Sequence, residues 1–136
     1  MSTETQITAG LVKALEGVGA VVVPYVASKR QPAGYPDRIV WHGIWAGWLE
    51  LKGHQTAVQL NQRIRMEALN ARRPGSAWVL RFSACSTPGR WWAMIETPRG
   101  KSVSNGYCEP LPLLEGLNWY TEREMLKSGG SGGNCP

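Results

Sequence analysis

The succession of strand, helix and strand between Trp48 and Phe82 constrains the fold of this chain more than any other feature. Trp48-Leu49-Glu50-Leu51-Lys52 alternates, so the two faces of a strand can be assigned residue by residue. Leu60, Ile64 and Ala68 recur at helical spacing until Arg72, and Pro74-Gly75 stops the run. Trp78 to Phe82 reads as the next strand. Two strands joined through a helix normally lie parallel, with a right-handed crossover.

Other elements extend this unit on both sides. Ile7, Leu11, Leu15 and Val18 mark an amphipathic helix over Glu4 to Glu16, with Thr3 and Gln6 as a capping box and Gly17 or Gly19 to end it. Ala20 to Val26 is apolar and β-branched, as in a strand, and Ser28 to Pro36 is a polar loop. Asp37 to Trp41 forms a hairpin with Trp48 to Lys52 through the turn His42 to Gly47, with Trp41 and Trp48 flanking it. Thr56 and Gln59 read as a capping box for the second helix. Trp91 to Ile95 pairs with Trp78 to Phe82, and Leu113 to Lys127 holds a last short helix. The expected fold class is α/β: a mixed β-sheet flanked by helices, in the order α-β-β-β-α-β, with an extra C-terminal strand and helix. Residues 1–127 form one domain, and 128–136 (SGGSGGNCP) a flexible Gly/Ser-rich tail.

Composition narrows the partners. A chain of 136 residues with 43% hydrophobic content suits one domain. No apolar run approaches the ~20 residues of a membrane span. Met1 to Thr8 lacks the pattern of a signal peptide, so a soluble, cytoplasmic protein is expected. Cys85, Cys108 and Cys135 show neither a zinc spacing nor a disulfide framework, and Cys85 reads as a buried or half-buried thiol. The net charge is +5 and ten of the fifteen basic residues are arginine, which favours a polyanionic partner such as nucleic acid. Nine acidic residues are glutamate; Asp37 is the single aspartate.

Asp37, Glu50 and Lys52 are the residues that suggest chemistry. On the strand Leu49 and Leu51 point to the core and the second helix, while Glu50 and Lys52 share the other face, about 6.5 Å apart along it. Hairpin pairing brings Asp37 across from that end, about 5 Å away. Two carboxylates that close repel one another unless a proton or cation lies between them, and Mg²⁺ or Mn²⁺ is the simplest resident. Glu4 falls on the inward stripe of the first helix. Gln62, in the first turns of the second helix, can look toward Lys52 while Leu60 faces the core. Lys29, Arg30 and Arg38 bracket the loop into Asp37, placed to meet a DNA backbone phosphate. His54 lies two residues past Lys52, at the edge of the site. Trp45, at the turn tip, is the tryptophan expected to meet a partner.

Together these residues resemble the PD-(D/E)XK nuclease superfamily, most closely its VRR-NUC branch with the archaeal Holliday-junction-resolvase relatives. Gly34-Tyr35-Pro36-Asp37 looks like that branch's G-x-P-D, Glu50-Leu51-Lys52 like its E-x-K, and Gln62 like the glutamine that follows. Glu4 with Ile7, Leu11 and Leu15 resembles the helix that contributes an earlier glutamate. The likeness spans Glu4 to Phe82 and implies a restriction-endonuclease-like core. It implies a divalent-metal-dependent endodeoxyribonuclease acting on branched or junction DNA in replication, recombination or repair, of a kind found in phage, and working as a homodimer without a small-molecule cofactor. Asp37, Glu50 and the Leu51 carbonyl would hold the metal. Lys52 would orient or deprotonate water or stabilise the phosphate, Gln62 would hold substrate or water, and Glu4 would support metal binding. A restriction-type or single-strand nuclease, a non-catalytic nucleic-acid-binding module on the same fold, and a structural or interaction protein using the Trp-rich C-terminal third are the alternatives.

Overall fold

The computed structural model describes residues 4–24, 36–53, 56–84 and 90–132; in the helices and strands, the side chains of Glu4, Ser83, Ala84 and 128–132 lie outside that description. The element order is α1 (Glu4–Gly17), β1 (Val21–Pro24), β2 (Arg38–Trp41), β3 (Ala46–Gly53), α2 (Leu60–Arg72), β4 (Ala77–Ala84), β5 (Trp91–Glu96) and α3 (Pro110–Gly132). The strands form one five-stranded sheet in sequence order. β3 and β4 are parallel, as the helical crossover requires, and the other pairs are antiparallel. The mixed α/β architecture expected from the sequence is the one present. α3 starts three residues before the expected Leu113 and continues to Gly132.

α1 and α3 cover one face of the sheet. Ile7, Leu11 and Leu15 of α1 and Leu113, Leu114 and Leu117 of α3 pack on Val40, Leu49, Leu51 and Leu80. α1 ends where Gly19 takes a left-handed φ of 94°, so that the Ala20 N–H can reach back to the Leu15 carbonyl at 3.1 Å. The stripe read from the sequence for this helix is the buried one.

For α2 the structure corrects the sequence reading twice. The helix lies on the opposite face from Leu49 and Leu51, the face that carries Glu50 and Lys52, with Met66 packed on Ala77, Val79 and Trp48. The stripe expected to face the core is outside: Leu60 is 60% and Ile64 58% exposed. The inward side carries Gln62, Met66 and Leu69. Its start is also later, with Gln59 as N-cap and Gln62 answering it, so the expected Thr56–Gln59 box does not form. At its far end, Asn70 mimics a strand neighbour, accepting from the Ala77 N–H at 2.8 Å and donating to the Ala77 carbonyl at 3.1 Å.

In the hairpin, Trp41 pairs with Ala46 and Ile39 with Trp48, so the turn is tighter than expected. His42 ties it to the end of α1. The Ile44 N–H donates to Nδ1 at 2.9 Å, leaving Nε2 as the ring donor to the Val18 carbonyl at 3.0 Å. Trp45 is not a partner-facing residue: it is 4% exposed, with its indole N–H donating to Thr121 Oγ1 at 2.9 Å. Trp41 is the exposed indole of the hairpin, at 69%. It lies beside Val21 on the sheet face that α2 leaves open.

Candidate active site

The β2–β3 register brings the candidate residues together. Arg38 pairs with Leu49, and one step further Asp37 meets Glu50. The Asp37 N–H donates to Glu50 Oε1 at 3.0 Å, and the Leu51 N–H donates to Asp37 Oδ1 at 3.3 Å. Each acidic residue thus holds the other's strand. Glu50 Oε2 is shared by two donors: Lys52 Nζ at 3.3 Å and Gln62 Nε2 at 2.9 Å. Gln62 reaches it because α2 packs on this face, and its Oε1 accepts from the Gln59 N–H at 3.2 Å. One amide therefore caps the helix with its oxygen and serves the site with its nitrogen, which settles its orientation.

Burial sets the electrostatics. Glu50 is 2% exposed and Lys52 9%. Loss of solvent pushes the Glu50 carboxyl above its ordinary range; the neighbouring Asp37 charge raises it further, and Lys52 opposes both. Asp37 is also raised by loss of solvent, against the pull of Arg38, the Leu51 amide and Lys52. Two adjacent carboxyls that resist ionisation are a donor set a divalent cation would relieve. Both are hard oxygen ligands, as Mg²⁺ and Mn²⁺ prefer. Among the described residues no three His, Cys, Asp or Glu side chains converge on one point. The fit is therefore to an ion that keeps water or substrate oxygens in most of its shell.

A groove of about 530 Å³ runs from Asp37, Arg38 and Leu51 along β1 to Thr5 and Thr8 on the first turns of α1. The helix that begins at Glu4 thus borders the site, although the Glu4 side chain lies outside the described atoms. Arg38 stays at the site: Nη1 donates to the Asp37 carbonyl at 2.9 Å and lies 3.8 Å from Asp37 Oδ2. Lys29, Arg30, His54 and Cys85 fall outside the described residues.

Sequence reasoning missed Arg81 and Glu96. They form an ion pair with Nε 3.2 Å from Oε2, nearly buried beside Lys52. The available signal was an arginine inside the apolar run Trp78 to Phe82, where a charge requires a partner.

No family model matches this sequence, and no curated protein matches it. Among solved structures the fold is similar to that of Hjc, a Holliday junction resolvase from the archaeal hyperthermophile Archaeoglobus fulgidus. The TM-score is 0.53 at 13% identity, over 84% of this chain and 98% of that one. That likeness covers the mixed sheet and its helices, so this chain shares the fold of an archaeal resolvase.

Proposed function

We propose that this protein is a divalent-metal-dependent endonuclease that hydrolyses phosphodiester bonds in DNA, with branched or junction DNA as its substrate. The observation that carries the reading is the convergence of Asp37, Glu50, Lys52 and Gln62 at one end of the sheet, with both carboxyls raised by burial. The shared fold with a protein named as a Holliday junction resolvase supports the choice of substrate class. The Pro36-Asp37 and Glu50-Leu51-Lys52 patterns support a likeness to the VRR-NUC branch of the PD-(D/E)XK superfamily.

Asp37, Glu50 and the Leu51 carbonyl would hold Mg²⁺ or Mn²⁺, which when bound lowers the pKa of water and neutralises phosphate charge. Lys52, fixed by Glu50, orients the attacking water or steadies the charge on the phosphate. Gln62 keeps Glu50 in place and offers its amide at the edge of the site. Glu4 lends a further carboxylate from the start of α1, and the Lys29, Arg30, Arg38 and His54 region meets the DNA backbone. A homodimer suits a substrate in which two strands are cut. The apolar surface of Val21, Val23 and Trp41 supports such an assembly.

The test is incubation with four-way junction, flap, single-stranded and duplex DNA, with Mg²⁺, Mn²⁺ or chelator. Cleavage is expected with metal alone, strongest on branched DNA, and lost in Lys52→Ala and Asp37→Ala. Binding to junctions without cleavage by the folded wild type would instead make the chain a non-catalytic binding module.

A further inference from the structure

Arg81 sits in β4 between two residues buried in the main core, Leu80 and Phe82. Its own side chain lies on the other face, next to Lys52 in the parallel register, and is 13% exposed. A guanidinium in such a place must be neutralised and have its five N–H donors answered. Glu96 neutralises it through a two-point contact, Nε to Oε2 at 3.2 Å and Nη2 to Oε1 at 3.3 Å. Nη1 turns the other way, donating to the Gly53 carbonyl at 2.7 Å and to the Thr56 carbonyl.

One carbonyl belongs to Gly53, the last residue of β3 and the neighbour of Lys52, and the other to Thr56, on the approach to α2. The Thr56 N–H also donates to the Gly53 carbonyl, at 3.2 Å, so the oxygen that Arg81 holds also ties Thr56 to the end of β3. Three residues beyond Thr56, Gln59 caps α2, and Gln62 then reaches Glu50. Stability alone is a poor reason for this arrangement, because a buried ion pair is often no better than well-packed apolar residues. What an apolar pair could not do is hold the two carbonyls.

We propose that Arg81, locked by Glu96, is a positioning residue of the Glu50–Lys52 site: it clamps the connection between β3 and α2 and so holds the Gln62 amide against Glu50. The purpose assigned to the clamp rests on the nuclease reading; its existence does not.

The experiment compares wild type, Arg81→Lys, Gln62→Ala and the double variant by backbone amide hydrogen exchange and by steady-state cleavage of junction DNA with Mg²⁺. Lysine keeps the charge but lacks the fork. In Arg81→Lys, exchange at Thr56 and Gln59 is expected to rise about tenfold or more while Met66 and Val79 stay protected, as for a local opening. The turnover number should fall about tenfold to a hundredfold with KM little changed, the signature of misplaced groups. In the Gln62→Ala background the same substitution should cost at most about twofold, because the amide it positions is gone. An equal loss in both backgrounds, or unchanged exchange at Thr56 and Gln59, would overturn the proposal. If folded wild type cuts no DNA, the nuclease reading fails while the exchange data still decide the clamp. Should Arg81→Lys not fold, Glu96→Gln, which frees the guanidinium from its lock, takes its place under the same criteria.

Discussion

Gln62→Glu separates the two tasks of the Gln62 amide. The substitution keeps an oxygen for the Gln59 N–H, and a carboxylate in the first turn of a helix is favourable by about 0.3–1 kcal/mol. It removes the donor to Glu50 Oε2, a hydrogen bond to a charged acceptor worth about 1.5–3 kcal/mol. The lower end applies, because Lys52 remains on the same oxygen. It also brings a third carboxylate against Glu50 and Asp37, which adds on the order of 1–2 kcal/mol once solvent and side-chain rotation relieve the repulsion. The net loss is about 2–3 kcal/mol without metal, or roughly 6–12 °C in Tm for a chain of this size. Gln62→Ala loses donor and cap together, about 2 kcal/mol. The two variants separate by pH and by metal. As pH falls through the carboxyl range, the introduced carboxylate gains a proton and can donate to Glu50, so its penalty disappears; that of the alanine variant persists. Mg²⁺ should also restore Gln62→Glu more than Gln62→Ala. Urea unfolding followed by tryptophan fluorescence, in chelator at pH 5 and pH 8 and then with Mg²⁺, reads both effects. A Gln62→Glu protein as stable as wild type in chelator at pH 8 would refute the contact between Gln62 and Glu50.

Three other outcomes follow from the same geometry. Met66→Ala should cost about 2–5 kcal/mol by leaving a cavity, while Ile64→Ala on the exposed side should change stability by no more than about 0.5 kcal/mol in urea melts. Thr121→Val removes the acceptor of the Trp45 indole, whereas Trp78 keeps the Gly75 carbonyl at 3.0 Å; one buried donor is orphaned, at about 1–3 kcal/mol in the same melts. For pH, Asp37 and Glu50 both have raised folded-state values, so the stability of their neutral forms is present below the unfolded carboxyl pKa and is lost as pH rises through the folded values. Chelated wild type should therefore lose more stability than Asp37→Asn as pH rises above the ordinary carboxyl range, a difference that thermal melts across pH detect and that Mg²⁺ should cancel in wild type only.

The legible parts of this molecule are those set by local periodicity. Glu50 and Lys52 share a strand face because side chains alternate, and Asp37 reaches them because hairpin register propagates from a short turn. The stripe of α1 could be read because Ile7, Leu11 and Leu15 have no apolar competitor on another face. Trp45 could not be placed, because its burial depends on Thr121, seventy-six residues away. Arg81 and Glu96 meet only through the β4–β5 pairing, and neither has a local partner to announce the contact. Gln62 is legible from its place in the first turns of α2 and from the resemblance, but the sequence puts that helix on the wrong face of the sheet.

That misassignment has a physical cause that also explains the site. α2 offers two apolar stripes, Leu60 with Ile64 and Ala68, or Met66 with Leu69. Burying a large aliphatic side chain is worth about 1.5–3 kcal/mol, so exchanging one stripe for the other is nearly neutral. The sheet beneath breaks the tie. The face holding Trp48 and Val79 also holds Glu50, Lys52 and Arg81, polar groups that would be costly to cover with leucine and isoleucine. The stripe with Met66 brings Gln62 to Glu50 at one end and Asn70 to Ala77 at the other. A hydrogen bond to a charged acceptor and a two-point backbone contact are together worth about 2.5–6 kcal/mol, more than the difference between the stripes. The orientation of α2 thus follows from the polar groups on that face of the sheet, which Gln62 and Asn70 can meet and Leu60 and Ile64 cannot.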